Sequence, residues 1–457
     1  MKIRVENLGV LPQAEFTLGD LTIICGENNT GKTYATYALY GFLYHWRQAI
    51  SIPIPEETIR ALLSDGAVHI DVAKYRKDAV SLLEKGCAAY TERLPDIFAA
   101  SKERFKQSRF LMDIDPNELD ISGRYESTIG GAGKGITLFS LTKVQDSANL
   151  IITLLVEEDA VKIPQDAIMR VIGDALKEIL FGSLFPNPFI ASAERTGVVI
   201  FRNDLHFSKG DSDSFEVSHD PFARYSLTVN KNAEFVQQLE AISRKIGFIA
   251  ENHPEILSDF SDIIGGEYVI TQHDQLYFVP KGKRGVKLTM DESSSAVRSL
   301  LDIGFYLKHM TKPGDILMVD EPELNLHPEN QRRIARLFAR LVNIGIKVFV
   351  TTHSDYLIKE LNTLIMLNDD MPHLKRITEQ EGYQAQELLC PDRIRVYIAE
   401  ELAEEELMEE ADKETRRKTL TFTPADIDSE LGIEVGSFDK TISTMNRIQR
   451  DIFWSDE

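Results

Sequence analysis

The sequence predicts an α/β fold, and three stretches carry that prediction. The apolar run Leu21-Thr22-Ile23-Ile24-Cys25 leads into Gly26-Glu27-Asn28-Asn29-Thr30-Gly31-Lys32-Thr33, and Tyr34 to Tyr40 behind it has a helical pattern. Ile316-Leu317-Met318-Val319 is continuously apolar, as is the heart of Lys347-Val348-Phe349-Val350-Thr351-Thr352. Such runs fit strands buried on both faces of a parallel sheet. Each run ends in residues capable of chemistry: Asp320-Glu321 after the first, His353 after the second.

Met1 to Asn7 reads as an edge strand and not as a signal peptide. Gly26 to Thr33 matches the phosphate-loop pattern G-x-x-x-x-G-K-[ST] in the strand–loop–helix context it requires. The glycines let successive N–H groups face phosphates, and the helix N-terminus adds its positive end. Lys32 is suited to the β/γ-phosphates of ATP, and the Thr33 hydroxyl to Mg²⁺. Pro53 and Pro55 stop this helix, and helical patterns such as Asp71 to Leu83 follow, so 49–132 is expected to be a helical insertion. Gly130-Gly131-Ala132-Gly133 marks its exit, and strands resume at 136–141 and 150–155. A helix near 165–181 precedes a strand at 188–192; helices fill about 230–262, with short strands around 268–270 and 276–279. Val297 to Lys308 and Ile334 to Val342 have helical spacing.

At 457 residues the chain is long enough for more than one structural unit. Its three cysteines, Cys25, Cys87 and Cys390, are scattered, without a metal pair or disulfide framework, and point to a reducing cytoplasm. No apolar run is long enough to span a bilayer, and no membrane partner is expected. A net charge of −21 argues against nonspecific nucleic-acid binding over the whole surface, while leaving room for a local basic groove. Part of the excess lies in Glu400 to Glu414, which reads either as a solvated segment or as a dock for a basic partner.

Asp320 and Glu321 sit at the carboxyl end of a buried strand, where α/β proteins hold ligands. Asp320 suits Mg²⁺, and Glu321 suits a water attacking the γ-phosphate. The alternative is a strand ending in exposed carboxylates. His353 fits a sensor of the γ-phosphate or the attacking water; equally, His353-Ser354-Asp355 fits a helix cap.

The order Gly26–Thr33, then Ile316 to Pro328, then Val350 to Ser354 resembles an ABC-type P-loop ATPase head, in the soluble branch that includes RecF, SMC and OLD ATPases. That resemblance implies a Walker B pair at Asp320-Glu321, a D-loop region at 324–328 and a switch histidine at His353. The signature loop would be Asp291-Glu292-Ser293-Ser294-Ser295-Ala296, with Ser294 and Ser295 reaching the γ-phosphate of a second copy; Ala296 stands where the family usually has Gly. Helix capping by Ser293 or Ser294 is the alternative. Ala193-Glu194-Arg195-Thr196-Gly197 is similar to a segment of compact OLD-like ATPases, with Arg195 open to a phosphate contact, a coupling role or a structural ion pair. Gln145 is the weak candidate for a Q-loop glutamine.

OLD nucleases continue into a Toprim domain, for which Arg395 to Glu400 and Asp426-Ile427-Asp428 are partial echoes without sufficient following chain. The resemblance therefore implies a separate nuclease effector, as for ATPase subunits of the Septu (PtuA-type) and PARIS antiphage systems. The expected organisation is an ATPase core at 1–48 and 133–390, the insertion at 49–132, and an acidic tail or partner-docking segment at 391–457. The expected function is an ATP-binding and ATP-hydrolysing sensor or scaffold subunit of a homo-oligomeric defence complex, with nucleic acid reached through that complex. The alternatives are a RecF/SMC-like DNA-repair ATPase and a non-hydrolysing ATP-binding scaffold.

Overall fold

The computed structural model describes residues 1–130, 137–156, 163–202, 225–271, 275–403, 418–430, 432–433 and 436–453. A hairpin of β1 (Lys2–Leu8) and β2 (Leu11–Thr17) opens the chain, followed by the wholly buried β3 (Leu21–Gly26) and the long α1 (Lys32–Ala49). Next come α2 (Glu56–Asp65), β4 (Ala67–Asp71), α3 (Val72–Thr91), α4 (Leu94–Ile97), β5 (Arg109–Asp113) and β6 (Tyr125–Gly130). The 49–132 segment is therefore mixed and not purely helical. β5 pairs with β1, and β4 and β6 build a four-stranded antiparallel sheet with β7 (Thr137–Lys143) and β8 (Asn149–Leu154), in the order β4-β8-β7-β6. β4 and β5 are short and take their partners, β8 and β1, from far along the chain, so local periodicity does not announce them. Of the predicted glycine exit, residues 131–133 lie outside the described residues.

Beyond α5 (Gln165–Phe181) the chain enters β9 (Pro188–Ala191) and α6 (Arg195–Ile200). A helical layer follows: α7 (Leu227–Gln237), α8 (Leu239–Ser243), α9 (Phe248–Asn252) and α10 (Pro254–Ile264). A small antiparallel sheet of β10 (Gly266–Ile270), β11 (Leu276–Pro280) and β12 (Leu288–Thr289) precedes α11 (Ser295–Ser299) and α12 (Leu301–His309). Then β13 (Ile316–Asp320), α13 (Pro328–Asn343), β14 (Lys347–Thr352), α14 (Asp355–Met366) and α15 (Pro372–Glu381) complete the α/β alternation. β15 (Ile394–Ala403), β16 (Lys418–Pro424), the short pair β17 (Ile427–Asp428) and β18 (Gly432–Ile433), and α16 (Gly436–Phe453) close the described chain.

The central sheet runs β16-β15-β3-β14-β13-β9, parallel except for β16. Alternate side chains enter two cores. Ile316 and Met318 of β13 pack with α1 and the antiparallel sheets, while Leu317 and Val319 pack with the helices on the other face. Burial on both faces is what the apolar runs demanded. One expectation is corrected here. The segment from 391 does not begin as a tail, because β15 lies beside β3 with Ile394, Val396, Tyr397 and Ala399 buried. The acidic run that begins at Glu400 suggests a tail, but pairing of Ile394 to Ala399 with β3 draws the start of this segment into the core. The rest of the acidic run, from Glu404 on to 414, lies outside the described residues. Among the described residues no helix is long and apolar enough to cross a membrane.

Candidate functional site

The parallel order β3-β14-β13 sets three carboxyl ends side by side, with Cys25 opposite Thr352 and Thr351 opposite Asp320. This brings the phosphate loop, His353 and Asp320-Glu321 to one crevice. Asn28, Asn29, Thr30, Gly31, Lys32, Thr33, Glu321 and His353 line a cleft of about 480 Å³, joined by Val10 and Tyr34. A larger cavity of about 690 Å³ lies between α10, β10–β11 and α12. The phosphate-loop residues line the smaller cleft and not this one.

The loop is shaped by its own backbone. Gly26 has φ +139°, and a Cβ there would stand 2.4 Å from the Ala399 carbonyl oxygen of β15. Thr30 Oγ1 donates to Glu27 O at 2.8 Å. Lys32, only 6% exposed, curls over the loop and donates from Nζ to Gly26 O at 2.9 Å and Glu27 O at 2.6 Å. Burial lowers its pKa, opposed by the negative charges of Glu321 and Asp320. Glu27, Asn28 and Asn29 are exposed, and Thr33 is half-buried at the helix start.

Asp320 is 1% exposed. Its Oδ1 accepts from Thr351 Oγ1, while Oδ2 is buried without a hydrogen-bond partner among the described residues. Burial raises its pKa; the Thr351 hydroxyl and, more weakly, the Thr33 hydroxyl oppose this, whereas Glu321 and Glu194 add to it. A buried carboxylate oxygen with no donor, close to a threonine hydroxyl, fits a hard divalent cation that takes its other ligands from water and phosphate. Thr33 and Asp320 could therefore hold Mg²⁺. Among the described residues no cluster of three acidic, His or Cys side chains is placed to hold a metal.

Glu321 adopts φ +52°, a left-handed conformation uncommon for a residue with a side chain. Its N–H donates to Thr351 O at 3.0 Å. His353 Nδ1 lies 3.8 Å from Glu321 Oε1 and 3.2 Å from Glu323 Oε1. Glu323 is buried and also accepts from Thr352 Oγ1 and the His353 N–H, each at 2.8 Å. The helix-cap alternative is met by Ser354, whose Oγ accepts from Leu357 N, leaving His353 to face the cleft. Thr351 and Glu323 escaped the sequence reading. The only available signal was a polar pair, Thr351-Thr352, inside an otherwise apolar strand.

Ser294 and Ser295 are exposed and do not line the cleft of their own chain. Ser294 also caps α11, accepting from Val297 N at 3.3 Å. Gln145 is exposed in the turn between β7 and β8 and is absent from the cleft lining, which removes it as a Q-loop candidate. Arg195 is 0% exposed and donates to main-chain carbonyls, so it touches no phosphate in the cleft.

Residues 206–358 match the family model described as AAA ATPase domain. That span includes Ser294, Ser295, Asp320, Glu321 and His353, and begins after the phosphate loop. No curated protein matches the chain. Similar solved structures include an SMC head domain from Thermotoga maritima, at 12% identity, TM-score 0.31, and 93% of this chain covered against 98% of that one. Another is an SmcHead bound to the C-winged helix domain of ScpA, at 13% identity, TM-score 0.32, and 79% of this chain covered against 90% of that one. The chain is a mixed α/β protein whose residues 206–358 are similar to an AAA ATPase domain.

Proposed function

We propose that the chain binds ATP with Mg²⁺ in the cleft at the ends of β3, β14 and β13 and hydrolyses it there. The observation that carries this reading is that an intact phosphate loop and Glu321 line one crevice, with the buried Asp320 Oδ2, unpartnered among the described residues, in the position just before Glu321. The loop N–H groups and the Lys32 ammonium bind the phosphates, and Lys32 exchanges its carbonyl partners for phosphate oxygens. Thr33 and Asp320 would hold Mg²⁺, which when bound offsets the phosphate charge. Glu321 orients the attacking water and takes its proton, while His353, braced by Glu323, donates toward the γ-phosphate. Ser294 and Ser295 close the cleft of a second copy, so the working unit is a homodimer or larger.

On the sequence resemblance, this ATPase serves as the sensor or scaffold subunit of an antiphage defence complex and controls a separate nuclease. ATP favours one geometry of the assembly, and hydrolysis or release another, which requires the nuclease to prefer one of the two. The test is co-purification of untagged neighbouring gene products with the tagged chain, with masses measured with and without ATP·Mg²⁺. A stoichiometric nuclease on a homo-oligomer is expected. A lone dimer that binds DNA would replace this reading with a repair ATPase. Glu321→Gln is expected to bind ATP normally and to hydrolyse it roughly 10²- to 10⁴-fold more slowly; wild-type turnover would sink the assignment of the base.

A further inference from the structure

The Ala193–Gly197 segment joins three parts of the site. Glu194 accepts from the Tyr37 hydroxyl of α1 at 2.9 Å. Arg195 spreads its guanidinium over four main-chain carbonyls: Nε to Ser299 O at 2.7 Å, Nη1 to Ser192 O at 2.8 Å and Asp320 O at 2.7 Å, and Nη2 to Glu321 O at 2.8 Å. Ser299 ends α11, the helix that Ser294 caps, and its own hydroxyl donates to Ala296 O at 3.0 Å and Leu324 O at 3.2 Å. One buried side chain thus ties the end of α11 to the turn that presents Glu321.

A buried guanidinium with no carboxylate in hydrogen-bond contact among these bonds is costly, and apolar side chains of similar size commonly fill such places at least as stably. What Arg195 supplies instead is fixed geometry. Its rigid fork holds several carbonyls at once, which a lysine ammonium cannot reproduce. One of these carbonyls belongs to Glu321, whose φ of +52° persists only where the surroundings impose it. The N–H of Glu321 is held by Thr351 O on one side and its carbonyl by Arg195 on the other.

We propose that Arg195 is a positioning residue for hydrolysis: it holds the strained Glu321 backbone so that the carboxylate faces the cleft, and through Ser299 it makes that position depend on α11. A second copy engaged by Ser294 and Ser295 would thereby be sensed at the general base of the engaging chain. This rests on the hydrolytic reading of Glu321 given above.

The test uses the full chain, with ATP binding and steady-state turnover measured separately. Arg195→Lys keeps the charge and loses the fork. We expect kcat to fall about 10²-fold while ATP affinity changes by less than about threefold, the pattern of a misplaced catalytic group. In the Glu321→Gln background the same substitution should cost nothing further, because its effect passes through Glu321. Should Arg195→Lys fail to fold in a thermal melt, Ser299→Ala removes the hydroxyl that bonds Ala296 O and Leu324 O while keeping the carbonyl that Arg195 holds, and should show the same split, with kcat down roughly tenfold. Losses that multiply in the double variant, affinity falling in step with kcat, or wild-type kcat in a folded variant would each overturn the proposal. If Glu321→Gln itself turns over normally, the hydrolytic reading fails instead, and the two failures are told apart.

Discussion

Gly26→Ala tests how the phosphate loop is seated. The residue has φ +139°, a backbone conformation that side chains rarely adopt, and the added methyl would meet Ala399 O at 2.4 Å. A normal contact lies near 3.5 Å, so β15 or the loop must move by about 1 Å. Neither yields easily, because β3 and β15 are locked in register from Leu21 opposite Ile394 to Gly26 opposite Ala399. The backbone strain costs about 1–3 kcal/mol and the overlap about as much again, some 4 kcal/mol in total. For a chain of 457 residues, whose unfolding entropy is about 1 kcal/mol/K, that corresponds to a Tm fall of roughly 4 °C. ATP affinity should drop as well, since Lys32 and the loop N–H groups shift with Gly26. Gly66→Ala is the control: Gly66 has φ +70°, but its added methyl meets nothing within 4 Å, so only the strain of about 1–2 kcal/mol remains. Thermal melts and ATP titrations of both variants measure the difference. Equal melting temperatures for the two, with unchanged ATP affinity in Gly26→Ala, would refute the argument that β15 supports the loop.

Three further outcomes are expected. Ending the chain after residue 390 removes β15 and uncovers β3; with Ile394 and Val396 each worth roughly 1.5–3 kcal/mol and strand pairing lost besides, no cooperative melt should remain. A chain ending after 433 should keep that melt, and a folded, ATP-binding 1–390 would show the reasoning to be wrong. Thr351→Val strips Asp320 Oδ1 of its donor, so the Mg²⁺ concentration for half-maximal ATP turnover should rise about 10- to 100-fold. Burial pushes the Asp302 carboxyl up from 3.8 to about 7, against the pull of Arg195. Because the folded value is raised, the stability linked to this group is present at low pH and is lost as pH climbs through about 7, by roughly 4 kcal/mol in all. Urea unfolding of Asp302→Asn at about pH 5 and pH 8 should lack this part of the slope, and parallel slopes in variant and wild type would contradict it.

The candidate site was legible where its chemistry demands neighbours in sequence. A phosphate loop needs its glycines, lysine and threonine within one turn, so Gly26 to Thr33 declares itself. Asp320, Glu321 and His353 stood out because each ends or follows a strand buried on both faces, although exposed carboxylates and a helix cap fitted the same positions. Thr351 and Glu323 were not legible, since one serves Asp320 from a neighbouring strand and the other reaches His353 across the crevice. Gln145 failed because spacing alone could not say that the turn carrying it belongs to the separate antiparallel sheet β4-β8-β7-β6.

The same division holds for the fold. Unbroken apolar runs determined an α/β core and the identity of its central strands, because burial on both faces leaves no room for alternation. Only the tertiary structure decided that the chain after 391 returns to the core, that 49–132 contributes strands as well as helices, and that Arg195 is a joint and not a phosphate ligand. Strand neighbours and buried hydrogen bonds are made between residues hundreds of positions apart, and their energies depend on which carbonyl or edge is left open once everything else has packed.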